Sequence, residues 1–224
     1  MEIKLWSNPK YQFETKIGRR GNSEKFSIPV NYLFTPGVTM LIGTNGSGKT
    51  TLLRQINSVF VKHSWNKIKE NDNIRDKYYC YLYDNVYEEK YAKDSWLHSD
   101  NLDRVASTFG NSEGQDMRDF LYYKMVDVGK AVRYAKQNNY NGIFLLFDGL
   151  DSGLSLDKIE DIRISILDFI TKEELKQDFE VYIICSANSY EFCNNYDCID
   201  VTDQKHVKFT NYKDFENYFI KEEE

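Results

Sequence analysis

The stretch GTNGSGKTT at residues 43–51 constrains this chain more than any other feature of its sequence. It matches the phosphate-loop pattern G-x-x-x-x-G-K-[ST], whose glycines let successive backbone N–H groups point at phosphate oxygens. In that pattern Lys49 reaches the β- and γ-phosphates, and the Thr50 hydroxyl coordinates Mg²⁺. We therefore expect this stretch to bind a nucleoside triphosphate with Mg²⁺. The expected contacts come from Asn45, Gly46, Ser47, Gly48, Lys49, Thr50 and Thr51.

The residues on either side of this stretch have the patterns that a phosphate loop requires. Residues 38–42 form a short apolar run that predicts a buried strand, and residues 51–60 carry apolar side chains at helical spacing. A helix that begins there points the positive end of its dipole at the phosphates. The alternative is a glycine-rich turn that contains a lysine by coincidence. Because strand, loop and helix patterns follow one another in order, we favour the phosphate loop.

Charge and hydropathy limit the classes of protein to which the chain can belong. Its 224 residues suit one α/β domain, which we place at 1–224. The net charge of −6 argues against a generally basic nucleic-acid-binding protein. Lys and Arg nevertheless outnumber Glu in residues 1–25, so a local DNA-binding patch there is compatible with the sequence. The sequence has no apolar run of membrane-spanning length and no signal-peptide core at its start. We expect a cytoplasmic protein without a membrane partner.

Strand patterns alternate with helix patterns through most of the chain, which predicts an α/β fold with a mainly parallel sheet flanked by helices. Residues 1–36 alternate short apolar stretches with turn residues and predict an antiparallel β flank. Residues 63–76 are predicted to be a surface connection, and residues 84–98 to be irregular. The predicted strands cover 38–42, 78–83, 143–147, 181–185, 198–201 and 207–210, and the predicted helices 51–60, 100–108, 112–137, 156–170 and 212–220.

Asp148 closes the apolar run at 143–147, so it is expected at the carboxyl edge of the sheet. In phosphate-loop proteins a strand-terminal Asp holds Mg²⁺, usually through water. The alternative is an ordinary Asp that begins a turn. The apolar strand that precedes it favours the metal role, so we predict Thr50 and Asp148 as the metal-binding residues.

Four further segments give the chain a resemblance to the ABC-type ATPases over almost its whole length. Residues 148–155 (DGLDSGLS) resemble the metal-binding strand end and D-loop of the soluble branches, which include chromosome-maintenance, break-repair and OLD-type nuclease ATPases. Residues 185–192 (CSANSYEF) resemble the switch segment T-H-S-P-E-F, and residues 211–215 resemble the closing helix of small soluble members. Residues 111–115 (NSEGQ) resemble the L-S-G-G-Q signature, with matches at Ser112, Gly114 and Gln115.

The resemblance implies a homodimer that assembles head to tail around two ATP molecules. Ser112, Gly114 and Gln115 are then nucleotide-binding residues that act across the dimer interface. Ser112 and neighbouring backbone N–H groups of one subunit would cap the γ-phosphate that Lys49 of the other subunit binds. The further partner would be an effector protein, or DNA as in the break-repair relatives.

The sequence departs from the family at two catalytic positions. Gly149 stands where the family has its catalytic Glu, and Asn188 stands in place of the switch His. Glycine has no proton acceptor, while Asn can hydrogen-bond a γ-phosphate oxygen but carries no charge. We therefore expect slow hydrolysis, with Asp151 and Asn188 as the remaining candidate catalytic residues. Alternatively, Gly149 serves a backbone conformation with positive φ. No glutamine marks the family's Q-loop, and Asp84 is a candidate by position only.

The favoured interpretation is an ATP-dependent dimerisation switch with slow hydrolysis. One alternative is an efficient ATPase that uses Asp151 or a base supplied by a partner. Another is the nucleotide-binding subunit of a membrane transporter. The interval between Lys49 and Ser112 is short and consists only of residues 50–111. This interval leaves no room for a long coiled coil and barely any for the helical subdomain that couples transporter ATPases to membrane partners.

Overall fold

A computed structural model describes residues 1–6, 29–61, 71–84, 113–152, 155–168 and 179–220. The strands are β1 (Glu2–Trp6), β2 (Pro29–Leu33), β3 (Gly37–Ile42), β4 (Tyr78–Asp84), β5 (Gly142–Asp148), β6 (Glu180–Ser186), β7 (Asp197–Asp200) and β8 (His206–Val207). The helices are α1 (Lys49–Phe60), α2 (Asp72–Arg75), α3 (Glu113–Gln137), α4 (Leu156–Ile162), α5 (Tyr190–Cys193) and α6 (Tyr212–Ile220), with a π-helix at Arg163–Asp168 after α4.

Six of these strands form one sheet in the order β4-β5-β6-β3-β7-β8. Its pairs are parallel except for β7 with β8, while β1 and β2 form a separate antiparallel sheet. The predicted α/β fold with a mainly parallel sheet and an antiparallel N-terminal flank is therefore confirmed. Strand β6 lies between β3 and β5, so the carboxyl ends of these three strands lie side by side.

Strand β5 is buried on both faces, which explains its continuous apolar sequence. Ile143, Leu145 and Phe147 belong to one core cluster, while Phe144 and Leu146 belong to the other. Side chains of α3 and α4 join the first cluster, and side chains of α1 and the β1–β2 sheet join the second. The sheet therefore lies between two apolar layers, and its strand ends are held in fixed positions.

Residues 63–70 of the predicted surface connection lie outside the described residues, and residues 71–76 differ from the prediction. Part of this connection forms the short helix α2, and the preceding Asn71 is buried at 3% exposure. The Asn71 side chain accepts a hydrogen bond from Lys4 N at 3.0 Å and donates one to Lys4 O at 2.7 Å, so it ties this connection to β1. The spacing of apolar residues cannot predict that a polar amide is buried and hydrogen-bonded to a strand far away in the sequence.

Most predicted bounds are within two residues of the observed ones, and three elements show differences that matter for the fold. The predicted helix at 156–170 is α-helical only to Ile162 and continues as a π-helix. The predicted strand at 207–210 is reduced to His206–Val207, and that at 198–201 is shifted by one residue to Asp197–Asp200. The predicted helix at 100–108 lies outside the described residues. Within the part of the chain that the structure describes, no helix is both long and apolar enough to cross a membrane.

Candidate phosphate-binding site

The segment between β3 and α1 has the backbone of a tight, glycine-dependent loop. Gly43, Gly46 and Gly48 all have positive φ, at 146°, 82° and 106°. A Cβ atom at Gly43 would lie 2.5 Å from Ser47 Oγ, so only glycine fits there without a shift. Helix α1 begins immediately after Gly48, with Lys49 as its first residue. The structure thus has the strand, loop and helix in the arrangement that binds phosphate at a helix N-terminus.

Lys49 is a buried cation at the centre of this loop. Its Nζ donates hydrogen bonds to Gly43 O at 2.7 Å and to Thr44 O at 3.3 Å, and the residue is 9% exposed. Burial lowers the pKa of the Lys49 ammonium, and nearby carboxylates oppose this by favouring its charged form: Asp151, Asp148 and Asp200. A triphosphate placed on the loop would supply the negative charge that two neutral carbonyls lack.

The ends of β5 and β6 contribute the acidic side of the same site. Asp148, the last residue of β5, is 6% exposed. Ser186 ends β6, and its Oγ donates to Asp148 Oδ1 at 2.7 Å while accepting from Gly149 N at 2.8 Å. The sequence did not single out Ser186. Ser186 ends the strand that pairs with β5, so a prediction of how these two strands pair could have placed it beside Asp148.

These residues line an open pocket of about 430 Å³. The predicted residues that line it are Asn45, Gly46, Gly48, Lys49, Thr50, Thr51, Asp148 and Asn188. Gly149, Ser152 and Ser186 also line it. Ser47 is not among the lining residues, and its buried Oγ has no hydrogen-bond partner within the described parts of the chain. The sheet therefore brings the loop and two strand ends, far apart in sequence, to a single cavity.

The donor set fits Mg²⁺ when it is bound together with phosphate. No cluster of three or more His, Cys, Asp or Glu side chains that could hold a metal occurs among the described residues. Mg²⁺ does not require such a cluster, because it is usually bound by one or two carboxylates, waters and the phosphates of its substrate. Thr50 and Asp148 line the same pocket, and their hydroxyl and carboxylate groups are oxygen ligands of this kind.

Asp151 joins the loop after β5 to the segment after β6. Its carboxylate is 6% exposed and accepts hydrogen bonds from Asn188 N at 2.7 Å and from Asn188 Nδ2 at 3.1 Å. It also accepts from Ser189 N at 3.0 Å and from Ser189 Oγ at 3.2 Å. Asp151 is not among the described residues that line the pocket, whereas Asn188 is. The two candidate catalytic residues are therefore bonded to each other.

Gly149 has a φ of 71°, in the left-handed region that side chains with a Cβ rarely adopt. It occupies the position where the resembled family has its catalytic Glu. The structure therefore bears out the alternative that this glycine serves a backbone conformation. A Glu side chain at this position would require strain or a different loop.

Asp84 does not lie among the described lining residues of the pocket. It is buried, and its Oδ2 accepts hydrogen bonds from Arg54 Nε at 2.9 Å and Arg54 Nη2 at 2.6 Å. This ion pair connects the end of β4 to α1, the helix that follows the phosphate loop. The structure thus gives Asp84 an ion-pair contact, which the sequence pattern did not indicate.

The signature segment is described only in part. Gly114 and Gln115 lie in α3, which the structure describes from Glu113 onward. Ser112 lies outside the described residues. The roles of these three residues across a dimer interface stay predictions.

Comparison with known proteins assigns no family. No protein-family model matches the chain, and no curated protein matches it. Among solved structures, the chain is similar to a nucleotide-free ATP-binding cassette from an ABC transporter, at 14% sequence identity and a TM-score of 0.43. The similarity covers 99% of this chain and 96% of that one.

Proposed function

We propose that this chain is an ABC-type ATPase that binds Mg²⁺ and ATP, dimerises in response and hydrolyses ATP slowly. One observation carries the proposal: the phosphate loop, the strand-terminal Asp148 and Asn188 line a single pocket. If the glycine-rich turn resembled a phosphate loop only by coincidence, it would not be expected to lie beside an acidic strand end from a different part of the sheet.

The residues of the pocket divide the work of binding. Backbone N–H groups of residues 45–51 donate to phosphate oxygens, and the Lys49 ammonium leaves its two carbonyl partners to pair with the β- and γ-phosphates. Thr50 and Asp148 are the residues that would bind Mg²⁺. When bound, Mg²⁺ neutralises charge on the phosphates. Ser112, Gly114 and Gln115 of a second copy complete the site, so ATP acts as the link between two subunits.

Slow hydrolysis is favoured over an efficient reaction with Asp151 as the base. Gly149 offers no proton acceptor, and the two oxygens of Asp151 already accept four hydrogen bonds from Asn188 and Ser189. Taking a proton from water would require Asp151 to give up some of these bonds. A long-lived ATP-bound dimer suits a switch that controls a separate effector protein or acts on DNA.

Phosphate release from the wild-type protein tests this part of the proposal. Typical turnover is about 10 s⁻¹, and loss of general-base help costs about 10²–10⁴-fold. We therefore expect roughly 0.001–0.1 s⁻¹ with saturating ATP and Mg²⁺. We also expect Asp151→Asn to change this rate by less than about tenfold, well short of the loss of a base. A wild-type rate near 10 s⁻¹ that Asp151→Asn abolishes would instead support the efficient ATPase.

Gly149→Glu restores the family residue but is expected to destabilise the protein rather than activate it. A side chain in the left-handed conformation costs about 1–2 kcal/mol, which lowers the melting temperature by roughly 2–8 °C in a chain of this size. Gly149→Asn is the matched control, since Asn tolerates this conformation better and is expected to lose less. Melting temperature and phosphate release are measured on both variants. A Gly149→Glu protein as stable as wild type with faster turnover would contradict this expectation.

A further inference from the structure

Ser186 is fixed beside Asp148 by the pairing of two parallel strands. In the register of β5 with β6, Phe147 pairs with Cys185, so the next residues along, Asp148 and Ser186, lie next to each other at the carboxyl edge. Ser186 is 2% exposed and still lines the pocket. Its hydroxyl is therefore buried at the place where the proposed metal side of the site is formed.

The direction of each hydrogen bond at this hydroxyl follows from its partners. The Gly149 N–H can only donate, so Ser186 Oγ accepts from it at 2.8 Å. The Asp148 carboxylate accepts, so the hydroxyl proton points at Asp148 Oδ1 at 2.7 Å. One side chain thus holds both the carboxylate and the peptide that follows it. Asp148 Oδ2 accepts no hydrogen bond from the described residues, which leaves one oxygen available.

We propose that Ser186 is a positioning residue that orients the Asp148 carboxylate for Mg²⁺ bound with a nucleoside triphosphate. The inference rests on the proposed function, because it needs the metal to be bound at Asp148. Groups that hydrogen-bond a metal-binding carboxylate set its orientation, and their loss typically costs 10–100-fold in metal affinity.

The neighbouring charge explains why Asp148 needs such a partner. The Lys49 ammonium attracts Asp148 electrostatically, yet its Nζ is hydrogen-bonded to the loop carbonyls of Gly43 and Thr44. Without the Ser186 hydroxyl, the carboxylate would be free to turn toward this cation. That movement would pair the Lys49 charge with Asp148 instead of with phosphate, and it would remove an oxygen from the metal at the same time. Ser186 therefore keeps the cation and the carboxylate available for separate parts of the ligand.

The test measures how ATP binding depends on Mg²⁺ concentration in Ser186→Ala, using calorimetric titration of ATP. We expect the Mg²⁺ concentration at half-maximal enhancement of binding to rise about 10–100-fold. ATP affinity in EDTA should stay within about twofold of wild type, since the loop contacts do not involve this hydroxyl. Ser186→Thr retains the hydroxyl and should restore the wild-type Mg²⁺ dependence. Ser58→Ala is the matched control, because Ser58 Oγ donates to Gln55 O at 2.6 Å on α1 and should leave both titrations unchanged.

The outcomes separate this inference from the function on which it rests. A wild-type protein whose ATP binding ignores Mg²⁺ would overturn the proposed metal site itself, and the inference with it. With a Mg²⁺-dependent wild type, an unchanged Mg²⁺ requirement in Ser186→Ala would overturn the role of Ser186 alone. An equal loss of ATP affinity with and without Mg²⁺ would also overturn it, because that loss indicates packing rather than orientation. If the alanine variant does not fold, Ser186→Cys, which has similar volume and a weak donor, should still raise the Mg²⁺ requirement.

Discussion

Lys49→Ala is expected to abolish ATP binding. The ammonium lies over the phosphate loop, 2.7 Å from Gly43 O, and no other described cation lines the pocket. Its removal leaves triphosphate charge uncompensated and deletes charge-assisted hydrogen bonds worth about 1.5–3 kcal/mol each. Two such bonds correspond to a rise in the dissociation constant of roughly 10²–10⁴-fold. Calorimetric titration with ATP and Mg²⁺ measures this change.

Two controls show whether a loss of binding comes from the pocket. Lys130→Ala removes a largely exposed lysine, which pairs with Asp127 on α3, and should bind ATP as wild type does. The melting temperature of the Lys49 variant without nucleotide shows whether it is folded. A folded Lys49→Ala protein that binds ATP within twofold of wild type would show that this loop is not the triphosphate site.

Ser112→Arg is expected to block ATP-dependent dimerisation while each monomer still binds ATP. The resemblance to the signature places Ser112 against the γ-phosphate held by the other subunit, where a bulky side chain would clash. We therefore expect a monomer at protein concentrations where the wild type is fully dimeric with ATP. Size-exclusion chromatography coupled to light scattering measures the mass, and ATP titration measures monomer binding.

The competing role for Ser112 is that of a helix N-cap at the start of α3. An N-cap contributes about 0.5–2 kcal/mol to stability, and its loss would lower the melting temperature without a specific effect on association. Ser112→Asn retains capping ability and serves as the control for stability. If Ser112→Arg melts earlier but still forms an ATP-dependent dimer, Ser112 only caps the helix.

The sequence predicted the parts of this protein whose signal is local. Residues 43–51 specify their loop through glycine spacing, and α1 follows in the predicted place. The apolar runs at 143–147 and 181–185 correspond to strands buried on both faces, because a doubly covered parallel strand has no polar side to interrupt its sequence. From these elements the α/β fold and the meeting of the loop with Asp148 could be predicted.

Contacts in and around the pocket join residues that lie too far apart in the sequence for a local pattern to show. Ser186 meets Asp148 across 38 positions, and Asn188 meets Asp151 across 37. Arg54 and Asp84 are likewise 30 positions apart. The first two pairs form because the sheet order places the ends of β5 and β6 beside each other, and the third forms because α1 packs against β4. Both arrangements are properties of the whole fold. The sequence allowed a positive φ at Gly149 only as one of two explanations, and the observed backbone geometry was needed to establish it.

The most direct test of the proposed function is the mass of the wild-type protein in solution with ATP and Mg²⁺. Light scattering should give a monomer of 26.5 kDa without nucleotide and a dimer with ATP and Mg²⁺. ADP with Mg²⁺, or ATP with EDTA, should leave the protein monomeric, because the γ-phosphate and the metal are both needed to join two subunits. A mass that is the same under all four conditions, in a protein shown to bind ATP, would contradict the ATP-dependent dimerisation switch.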